Sequence, residues 1–415
     1  MNNMERPQEK AVLAAVQTTE SNESFNYSLD ELAQLVENTG VKPVGVVTQK
    51  RETVDNRTLI GKGKLQELKR LVEELDVSTI VFNQELSPSQ VRNIQEEIDV
   101  KILDRIQVIL DIFALRATSK EGSLQVQLAQ LNYLLPRLVG HGINMSRLGG
   151  GIGTRGPGET KLETDRRHIN RQITEIKREL KKVAEHRERS REQRQRSNLF
   201  RIGLIGYTNS GKSTVLNALT DSTTYQRDEL FATLDPITRK LELKSGLQVT
   251  LTDTVGFIQD LPTQLIEAFQ STLEETKDVD LLLHIVDAAS PNIESHEDTV
   301  LEIVKNLEMD TIPMLTVYNK KDLVEGEFYP TLFPNIIISA LDPTDQELLL
   351  EKIEAAIQEQ LEYYSFSIPA DRGDLLAQLK RETLISKQTF NKETQEYEIE
   401  GYAKDIAWLN YMIDQ

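Results

Sequence analysis

The eight residues from Gly206 to Ser213, which read GYTNSGKS, constrain the fold of this chain more than any other feature. They match the pattern G-x-x-x-x-G-K-[ST] completely, after the apolar, strand-like run Phe200 to Ile205 and before the helix-compatible segment Val215 to Leu219. A strand, a glycine-rich turn and a helix in this order allow backbone N–H groups to wrap a phosphate at a helix N-terminus. The sequence therefore predicts a doubly wound α/β domain with a phosphate-binding loop.

Each position of this loop has an expected role in nucleotide binding. Lys212 would supply a positive charge to the phosphates, and the hydroxyl of Ser213 is a candidate Mg²⁺ ligand. The other loop positions expected to contact the nucleotide are Gly206, Tyr207, Thr208, Asn209, Ser210, Gly211 and Thr214.

A second motif, DTVGF from Asp253 to Phe257, follows the alternating apolar residues of a predicted strand. This strand would deliver the carboxylate of Asp253 to the phosphate loop, where it suits the outer coordination sphere of Mg²⁺. Gly256 would let a backbone N–H group approach a γ-phosphate. The motif thus predicts a nucleoside triphosphate site.

The tetrad NKKD, from Asn319 to Asp322, indicates which base is bound. The carboxylate of Asp322 can accept hydrogen bonds from N1–H and the exocyclic amine of guanine, a donor pair that adenine lacks. We expect Asn319 to brace the loop, the stem of Lys320 to cover the base, and Ser339 and Ala340 to contact it from the other side. The sequence therefore predicts GTP as the ligand.

Apolar periodicity predicts four parts in a multidomain α/β chain. Residues 1–115 alternate strands and helices and should form an N-terminal domain with a parallel sheet. Residues 116–198 should form a basic helical hairpin, 199–362 the GTPase domain, and 363–415 a small C-terminal α/β domain. In this last part we expect a helix over Leu375–Lys387 between two strands.

The hairpin prediction depends on two narrow apolar seams that advance in steps of three and four residues. The first comprises Leu124, Leu128, Leu131, Leu135 and Leu138, and the second Ile169, Ile173, Ile176, Leu180 and Val183. Two helices with such seams, joined by the connector Val139–Thr160, should pack antiparallel.

The charge pattern suggests nucleic acid as a partner of this hairpin. The chain has a net charge of −18, yet residues 116–200 carry 18 Lys and Arg against 9 Asp and Glu. The connector holds eight of the 21 glycines, and its Arg147 and Arg155 are candidate RNA contacts. A disordered surface loop, a solvated charged helix face and a second nucleotide site are the alternatives. Lys62 and Lys64 are further phosphate-contact candidates, although a two-glycine turn with solvated lysines is the commoner meaning of such a segment.

Composition excludes other classes of protein. The chain has no cysteine, which rules out disulfides and thiolate metal sites, and its five histidines show no ligand spacing. No apolar run approaches the roughly 20 residues of a membrane span. We expect a cytoplasmic monomer.

Several segments outside the GTPase motifs resemble the HflX family of GTPases. The most specific are Gly149–Glu163, reading GGGIGTRGPGETKLE, and Asp165–Arg167; GKGK at Gly61–Lys64 and SPSQ at Ser87–Gln90 are also similar. The resemblance covers nearly the whole chain. It implies a cytoplasmic GTPase that engages the RNA of the 50S ribosomal subunit near the peptidyl transferase centre and splits stalled or idle ribosomes.

The resemblance also favours Thr233 as the switch threonine that closes on Mg²⁺ and the γ-phosphate. Thr223, Thr224 and Thr238 compete with it on local sequence alone. We therefore expect Lys212, Thr233 and Gly256 to act on the transferred phosphate.

Phe257 indicates slow intrinsic hydrolysis, because many GTPases place at this position a Gln that orients the attacking water. We expect the 50S subunit to stimulate turnover. Asn209 suggests a K⁺ ion near the β- and γ-phosphates. A GTP-gated RNA-binding or ribosome-assembly regulator, in which catalysis matters little, is the alternative function; an ATP-dependent RNA remodeller does not suit Asp322.

Overall fold

The computed structural model describes residues 8–138, 157–195, 199–220, 230–231, 236–258 and 277–414. These residues form two compact units. The first contains the described residues up to Ala184 together with Leu230 and Phe231, and the second contains the others. The domain boundaries that the sequence predicts at 115, 198 and 362 stay predictions.

The first unit contains a four-stranded sheet whose neighbouring strands are all parallel, as the sequence predicts. Its strand order is β2-β1-β3-β4. The strands are β1 (Lys10–Gln17), β2 (Lys42–Lys50), β3 (Thr79–Phe82) and β4 (Lys101–Asp104). The central strand β1 is an almost continuous apolar run and is buried along nearly its whole length, as strands covered on both faces are.

Helices alternate with these strands, and side chains cap the N-termini of three of the four. The helices are α1 (Asn22–Asn38), α2 (Lys62–Leu75), α3 (Pro88–Gln95) and α4 (Arg105–Arg116). Helix α3 begins with a capping box in which Ser87 and Gln90 satisfy each other's backbone N–H groups, and Pro88 occupies the first turn. The SPSQ segment thus has a structural role as a helix start.

The carboxylate of Asp104, at the end of β4, is fully buried and is bound from several sides. Its oxygens accept hydrogen bonds from the backbone N–H groups of Leu86 (3.0 Å) and Gln107 (3.0 Å). They also accept bonds from the hydroxyl of Tyr133 (2.6 Å) and the guanidinium of Arg137 (3.2 Å). Burial, followed by the charge of Asp104, raises the pKa of Tyr133, so this hydroxyl stays protonated.

Two helices follow, α5 (Lys120–Arg137) and α6 (Pro157–Gln195), and α6 belongs to the same unit up to Ala184. Their contacts run in opposite chain directions, as in an antiparallel pair. Lys120, at the start of α5, forms an ion pair of 2.9 Å with Glu179, whereas Leu131, farther along α5, lines a cavity with Ile176, which precedes Glu179 on α6. Ile176 is buried, but the leucines of the predicted α5 seam are only half-buried. Helix α5 instead buries Val126, Ala129 and Tyr133, which lie on its other face.

The second unit contains a six-stranded sheet of order β10-β9-β8-β5-β7-β6. Its strands are β5 (Phe200–Gly206), β6 (Ile237–Glu242), β7 (Gln248–Asp253), β8 (Leu281–Asp287), β9 (Met314–Asn319) and β10 (Asn335–Ile337). All neighbours are parallel except β6, which pairs antiparallel with β7. Strand β5 therefore lies in the middle, with the phosphate loop at its carboxyl end, the edge where open parallel sheets bind ligands.

Helices cover this sheet and complete its core. They are α7 (Lys212–Leu219), α8 (Ile293–Asn306) and α9 (Pro343–Gln358). Val215 and Leu216 of α7 and Leu349 and Ile353 of α9 pack in the same apolar cluster as the strands. This burial holds α7, which begins at the predicted phosphate-binding lysine, in a fixed position against β5.

A three-stranded antiparallel sheet of order β11-β13-β12 ends the chain. It comprises β11 (Glu362–Pro369), β12 (Leu384–Asn391) and β13 (Glu396–Ala403), with helices α10 (Gly373–Glu382) and α11 (Ile406–Asp414). The helix predicted over Leu375–Lys387 was wrong in its second half, because α10 ends at Glu382 and β12 begins two residues later. The apolar Leu384 and Ile385 extend the helical spacing, but they pair with β13 instead.

In the parts of the chain that the structure describes, no helix combines the length and apolar character needed to cross a bilayer.

Candidate nucleotide-binding site

Two glycines of the loop between β5 and α7 occupy positions that exclude any side chain. Gly206 has a φ of +153°, and a Cβ there would lie 2.2 Å from the carbonyl oxygen of Ile285. Gly211 has a φ of +97°, and a Cβ there would lie 2.2 Å from Nδ2 of Asn319. Only glycine tolerates such a backbone together with such close neighbours. The loop therefore turns sharply from the strand into the first turn of α7, as phosphate binding requires.

The side chain of Lys212 is buried inside this loop. Its Nζ donates hydrogen bonds to the backbone carbonyls of Gly206 (3.1 Å) and Tyr207 (2.8 Å). Burial lowers the pKa of Lys212 to about 8, and the charge of Asp253 partly opposes that shift. The amine is therefore mostly protonated at neutral pH and lies within the loop that would enclose the phosphates, whose oxygens could replace the two carbonyls as acceptors.

Ser213 and Asp253 are 40 residues apart in sequence and meet at the loop. The hydroxyl of Ser213 donates a hydrogen bond of 2.6 Å to Oδ2 of Asp253, whose side chain is completely buried. Parallel pairing of β5 with β7, in which Leu204 is opposite Asp253, brings the carboxylate there. A hydroxyl and a carboxylate are hard oxygen donors that suit Mg²⁺. In the described ranges no group of three or more His, Cys, Asp or Glu could hold a metal.

The DTVGF segment runs along the phosphate loop. The backbone N–H of Phe257 donates to the carbonyl of Gly206 (3.1 Å), and that of Thr208 donates to the carbonyl of Phe257 (2.7 Å). A Cβ on Gly256 would lie 3.1 Å from Nζ of Lys212, so the backbone of Gly256 lies beside the amine. The ring of Phe257 is buried, with 3% of its surface exposed.

Asn319, the last residue of β9, joins two loops through its side chain. Its amide donates to the carbonyl of Ser210 in the phosphate loop (3.1 Å), and its oxygen accepts from the backbone N–H of Ala340 (3.0 Å). One buried side chain therefore connects the phosphate loop to the segment Ser339–Ala340. These are the three motifs that the sequence predicts to surround one nucleotide.

The rest of the NKKD tetrad follows Asn319 in a turn at the carboxyl end of β9. Lys320 has a left-handed backbone, with a φ of +64°, and its Nζ forms an ion pair of 2.8 Å with Asp287 at the end of β8. Asp322 lies in a single 3₁₀ turn, Lys321–Leu323, and is exposed to solvent. An exposed carboxylate at the edge of the loop is available to accept hydrogen bonds from a base.

Comparisons with known proteins agree with this geometry. Residues 26–114 match the family model described as "GTP-binding GTPase N-terminal", 116–194 the "GTP-binding GTPase Middle Region", and 201–320 the "50S ribosome-binding GTPase". "GTPase HflX" of Alkalihalophilus pseudofirmus is 50% identical over 400 residues, which cover 96% of this chain and 95% of that protein. The chain belongs to the HflX family of GTPases. With its P-loop GTPase domain, it is a GTP hydrolase.

Another HflX relative, "GTPase HflX" of Caldanaerobacter subterraneus subsp. tengcongensis, is 45% identical over 398 residues, covering 95% of this chain and 91% of that protein. Among solved structures, a GTP-binding protein from the hyperthermophilic archaeon Sulfolobus solfataricus in complex with GDP is 26% identical. It covers 85% of this chain and 99% of its own, with a TM-score of 0.45.

Some residues predicted for the HflX site lie outside the described residues, namely Thr233, Arg147 and Arg155. Of the other two RNA-contact candidates, Lys62 is exposed at the first position of α2. Lys64 forms an ion pair of 2.8 Å with Glu67 on the same helix. Both lysines thus belong to a helix start in the first unit, and their role in RNA binding stays a prediction.

The structure also adds residues to the site that sequence reasoning missed. His296 of α8 stacks on the ring of Tyr207, with ring centroids 3.8 Å apart and planes within 10°. Burial lowers the pKa of His296 to about 4, with the charge of Asp287 opposing the shift. His284 of β8 is buried as well, and burial followed by the charge of Lys212 lowers its pKa to about 3. Both rings are neutral at neutral pH, and no local sequence pattern indicates the buried position of either histidine.

Proposed function

We propose that this HflX-family GTPase depends on Mg²⁺, binds the 50S ribosomal subunit, and couples its GTP state to the splitting, rescue or recycling of ribosomes. The observation that carries the nucleotide part of this proposal is the pair of hydrogen bonds that the Asn319 side chain makes to Ser210 and Ala340. These bonds hold the phosphate loop and the base loop together. The family model matched by residues 201–320, described as a 50S ribosome-binding GTPase, supports the ribosomal part.

In this proposal the triphosphate binds over the N-terminus of α7. Lys212 and the loop N–H groups bind the β- and γ-phosphates, and the backbone of Gly256 reaches the γ-phosphate. Mg²⁺, held by Ser213 with Asp253 in its outer sphere and Thr233 as a second ligand, would neutralise charge that develops on the phosphates. The contact between Ser213 and Asp253 supports this arrangement, because it orients the hydroxyl oxygen.

The guanine base would lie between the segment after Asn319 and the segment after Ala340. Two exposed leucines support this position: Leu323 is 61% exposed directly after Asp322, and Leu341 is 73% exposed directly after Ala340. Large exposed apolar side chains that flank a predicted base site suit the flat face of a purine, which would remove them from water.

Slow intrinsic hydrolysis is part of the proposal. The buried ring of Phe257 has no donor or acceptor with which to orient a water molecule. The 50S subunit would then raise turnover by ordering the switch segments or by supplying a group in trans. A K⁺ ion near Asn209, whose backbone is left-handed with a φ of +59°, would be a second aid to charge neutralisation.

The RNA-binding part of the proposal concerns the basic region 116–200 with Arg147, Arg155, Lys62 and Lys64. An excess of Lys and Arg over Asp and Glu in that region favours contact with a polyanion such as ribosomal RNA. The second candidate function, a GTP-gated RNA-binding or assembly regulator with little catalysis, is favoured by the same buried Phe257, because it lacks water-positioning chemistry.

GTP turnover of the purified chain with and without purified 50S subunits tests the proposal. We expect strong stimulation that weakens in Arg155→Ala, while the matched control Arg70→Ala, which removes an exposed arginine from α2, behaves as wild type. Binding of 50S subunits without stimulation would favour the GTP-gated regulator. A chain that neither binds 50S subunits nor is stimulated by them would contradict the ribosomal function and leave the GTPase without this partner.

A further inference from the structure

Asp345 connects both base-recognition segments from a position that the nucleotide motifs do not include. It lies in the first turn of α9, and only 3% of it is exposed. One of its oxygens, Oδ1, accepts a hydrogen bond of 2.7 Å from Nζ of Lys321, inside the NKKD tetrad. The other, Oδ2, accepts a bond of 2.7 Å from the backbone N–H of Ser339, in the segment that faces the base from the other side.

Both bonds favour the ionised carboxylate. Burial raises the pKa of Asp345, but the hydrogen bonds from Lys321 and from the Ser339 N–H, with the charge of Lys321, outweigh it, and the net shift lowers the pKa. Charge-assisted hydrogen bonds are stronger than neutral ones. The carboxylate therefore holds two loops that are 18 positions apart in sequence.

Capping of α9 does not account for this arrangement. The N-cap of α9 is Asp342, whose side chain accepts from the backbone N–H of Thr344. An acidic residue in the first turn also interacts favourably with the helix dipole, but that interaction needs no specific partner. Asp345 directs its two oxygens away from its own helix, to Lys321 and Ser339.

The segments that Asp345 joins are the neighbours of the predicted base contacts. Lys321 directly precedes Asp322 within a single 3₁₀ turn, and its backbone N–H also donates to the carbonyl of Ile338 (3.1 Å). Ser339 directly precedes Ala340, which is bound to Asn319. The spacing between Asp322 and Ala340, which a guanine base must match, thus depends on the carboxylate of Asp345.

We propose that Asp345 is a positioning residue for guanine selectivity, which fixes Asp322 and Ala340 on the two sides of the base through Lys321 and Ser339. This inference rests on the proposed guanine site. It predicts that loss of Asp345 weakens recognition of the base edge more than it weakens binding of the phosphates.

Equilibrium binding of fluorescent GDP, IDP and ADP analogues to the full chain tests this role. IDP lacks the exocyclic amine from which the carboxylate of Asp322 would accept a hydrogen bond, so the ratio of IDP to GDP dissociation constants reports how well that carboxylate is placed. In Asp345→Ala the buried N–H of Ser339 loses its acceptor, and we expect GDP affinity to fall about 10-fold with a ratio at least about threefold smaller than in wild type. A helix-capping role alone would lower the melting temperature and leave the ratio unchanged.

Two further variants separate positioning from folding. Lys321→Met keeps the bond from the Ser339 N–H but leaves the buried carboxylate without its cation, so the melting temperature is measured alongside; we expect the ratio to shrink about threefold. Asp345→Asn keeps an acceptor for Ser339 and should restore part of the GDP affinity lost in Asp345→Ala. The control Glu351→Gln lies on the same helix as Asp345, breaks an exposed ion pair of 2.8 Å with Lys244, and should change neither ratio nor affinity.

The outcomes distinguish the role of Asp345 from the proposed guanine site on which it rests. A wild-type chain that binds GDP no more tightly than ADP would remove the guanine site itself, and the positioning role with it. A guanine-selective wild type whose Asp345→Ala and Lys321→Met variants keep GDP affinity within about twofold and an unchanged ratio would overturn the role of Asp345 alone.

Discussion

The hydroxyl of Ser213 and the carboxylate of Asp253 are joined by a hydrogen bond of 2.6 Å between the first turn of α7 and the end of β7. Because the hydroxyl proton points to the carboxylate, the lone pairs of the Ser213 oxygen are directed elsewhere. Asp253 is inaccessible to solvent, and the pairing of β5 with β7 fixes its position at the loop. This contact fits the proposed Mg²⁺ site, in which Ser213 would offer one oxygen to the cation.

We therefore expect Ser213→Ala to reduce the Mg²⁺-dependent part of GTP affinity. Loss of one coordinating hydroxyl should weaken binding about 10-fold in Mg²⁺ and leave binding in EDTA nearly unchanged. Titration of a fluorescent GTP analogue under both conditions measures this. Ser386→Ala, which removes a hydroxyl bonded to the carbonyl of Glu400 in the C-terminal sheet, is the control. Equal losses with and without Mg²⁺ would contradict a role in metal binding.

Gly211→Ala should damage both stability and nucleotide binding. The new methyl group would lie 2.2 Å from Nδ2 of Asn319 at a φ of +97°, so it would break the bond from Asn319 to Ser210. We expect a loss of about 2 kcal/mol in the free energy of unfolding, from backbone strain and the lost bond. Urea unfolding and GDP titration check this.

The same substitution at Gly63 provides the control with the opposite sign. Gly63 is the second residue of α2, and apart from the backbone of its own helix and its chain neighbours no atom lies within 4 Å of the added Cβ. Gly63→Ala should therefore stabilise the chain by about 0.5–1 kcal/mol. A destabilisation of equal size at both positions would show that local packing at Gly211 is not the cause.

Asp322→Asn should change which base is preferred. An amide in place of the carboxylate presents a donor toward the exocyclic amine of guanine, but it matches the carbonyl that xanthine has at the same position. We expect GDP affinity to fall about 100-fold and xanthosine diphosphate to become the better ligand. Competition titrations with both nucleotides measure the switch, and unchanged GDP affinity would place base recognition elsewhere.

Acid should destabilise the chain through His296. Its pKa of about 4 in the folded state lies below the ordinary 6.5, so between these values the unfolded state binds a proton that the folded state does not. Stability contributed by the neutral ring is complete above pH 6.5 and is lost as pH falls toward 4, by about 2 kcal/mol at pH 5. Unfolding free energies at pH 5, 6 and 8 measure this dependence.

His296→Phe keeps a ring against Tyr207 and removes the titrating group, so its pH dependence should be shallower. Some pH dependence should persist, because the pKa of His284 is lowered as well. Parallel pH profiles for wild type and His296→Phe would show that His296 is not responsible.

Local sequence patterns predicted the elements that carry the nucleotide motifs. Strand, glycine turn and helix around Lys212 are encoded within about 20 consecutive residues, and the observed β5 and α7 follow that order. The edge strand β12 was missed, because its pairing with β13 decides its structure and its apolar residues also fit a helix. The bond from Asp345 to Ser339 and the stack of His296 on Tyr207 depend on tertiary packing, which residue spacing does not encode.

The buried carboxylate of Asp104 determines how short an N-terminal fragment can be. A piece that stopped at Arg116 would contain the whole parallel sheet, yet it would lose Tyr133 and Arg137, and with them two of the four donors described for this charge. An incompletely bound buried carboxylate strongly opposes folding. We therefore expect the smallest autonomous fragment to extend through Arg137, with α5 as much a part of the first folding unit as the strands are.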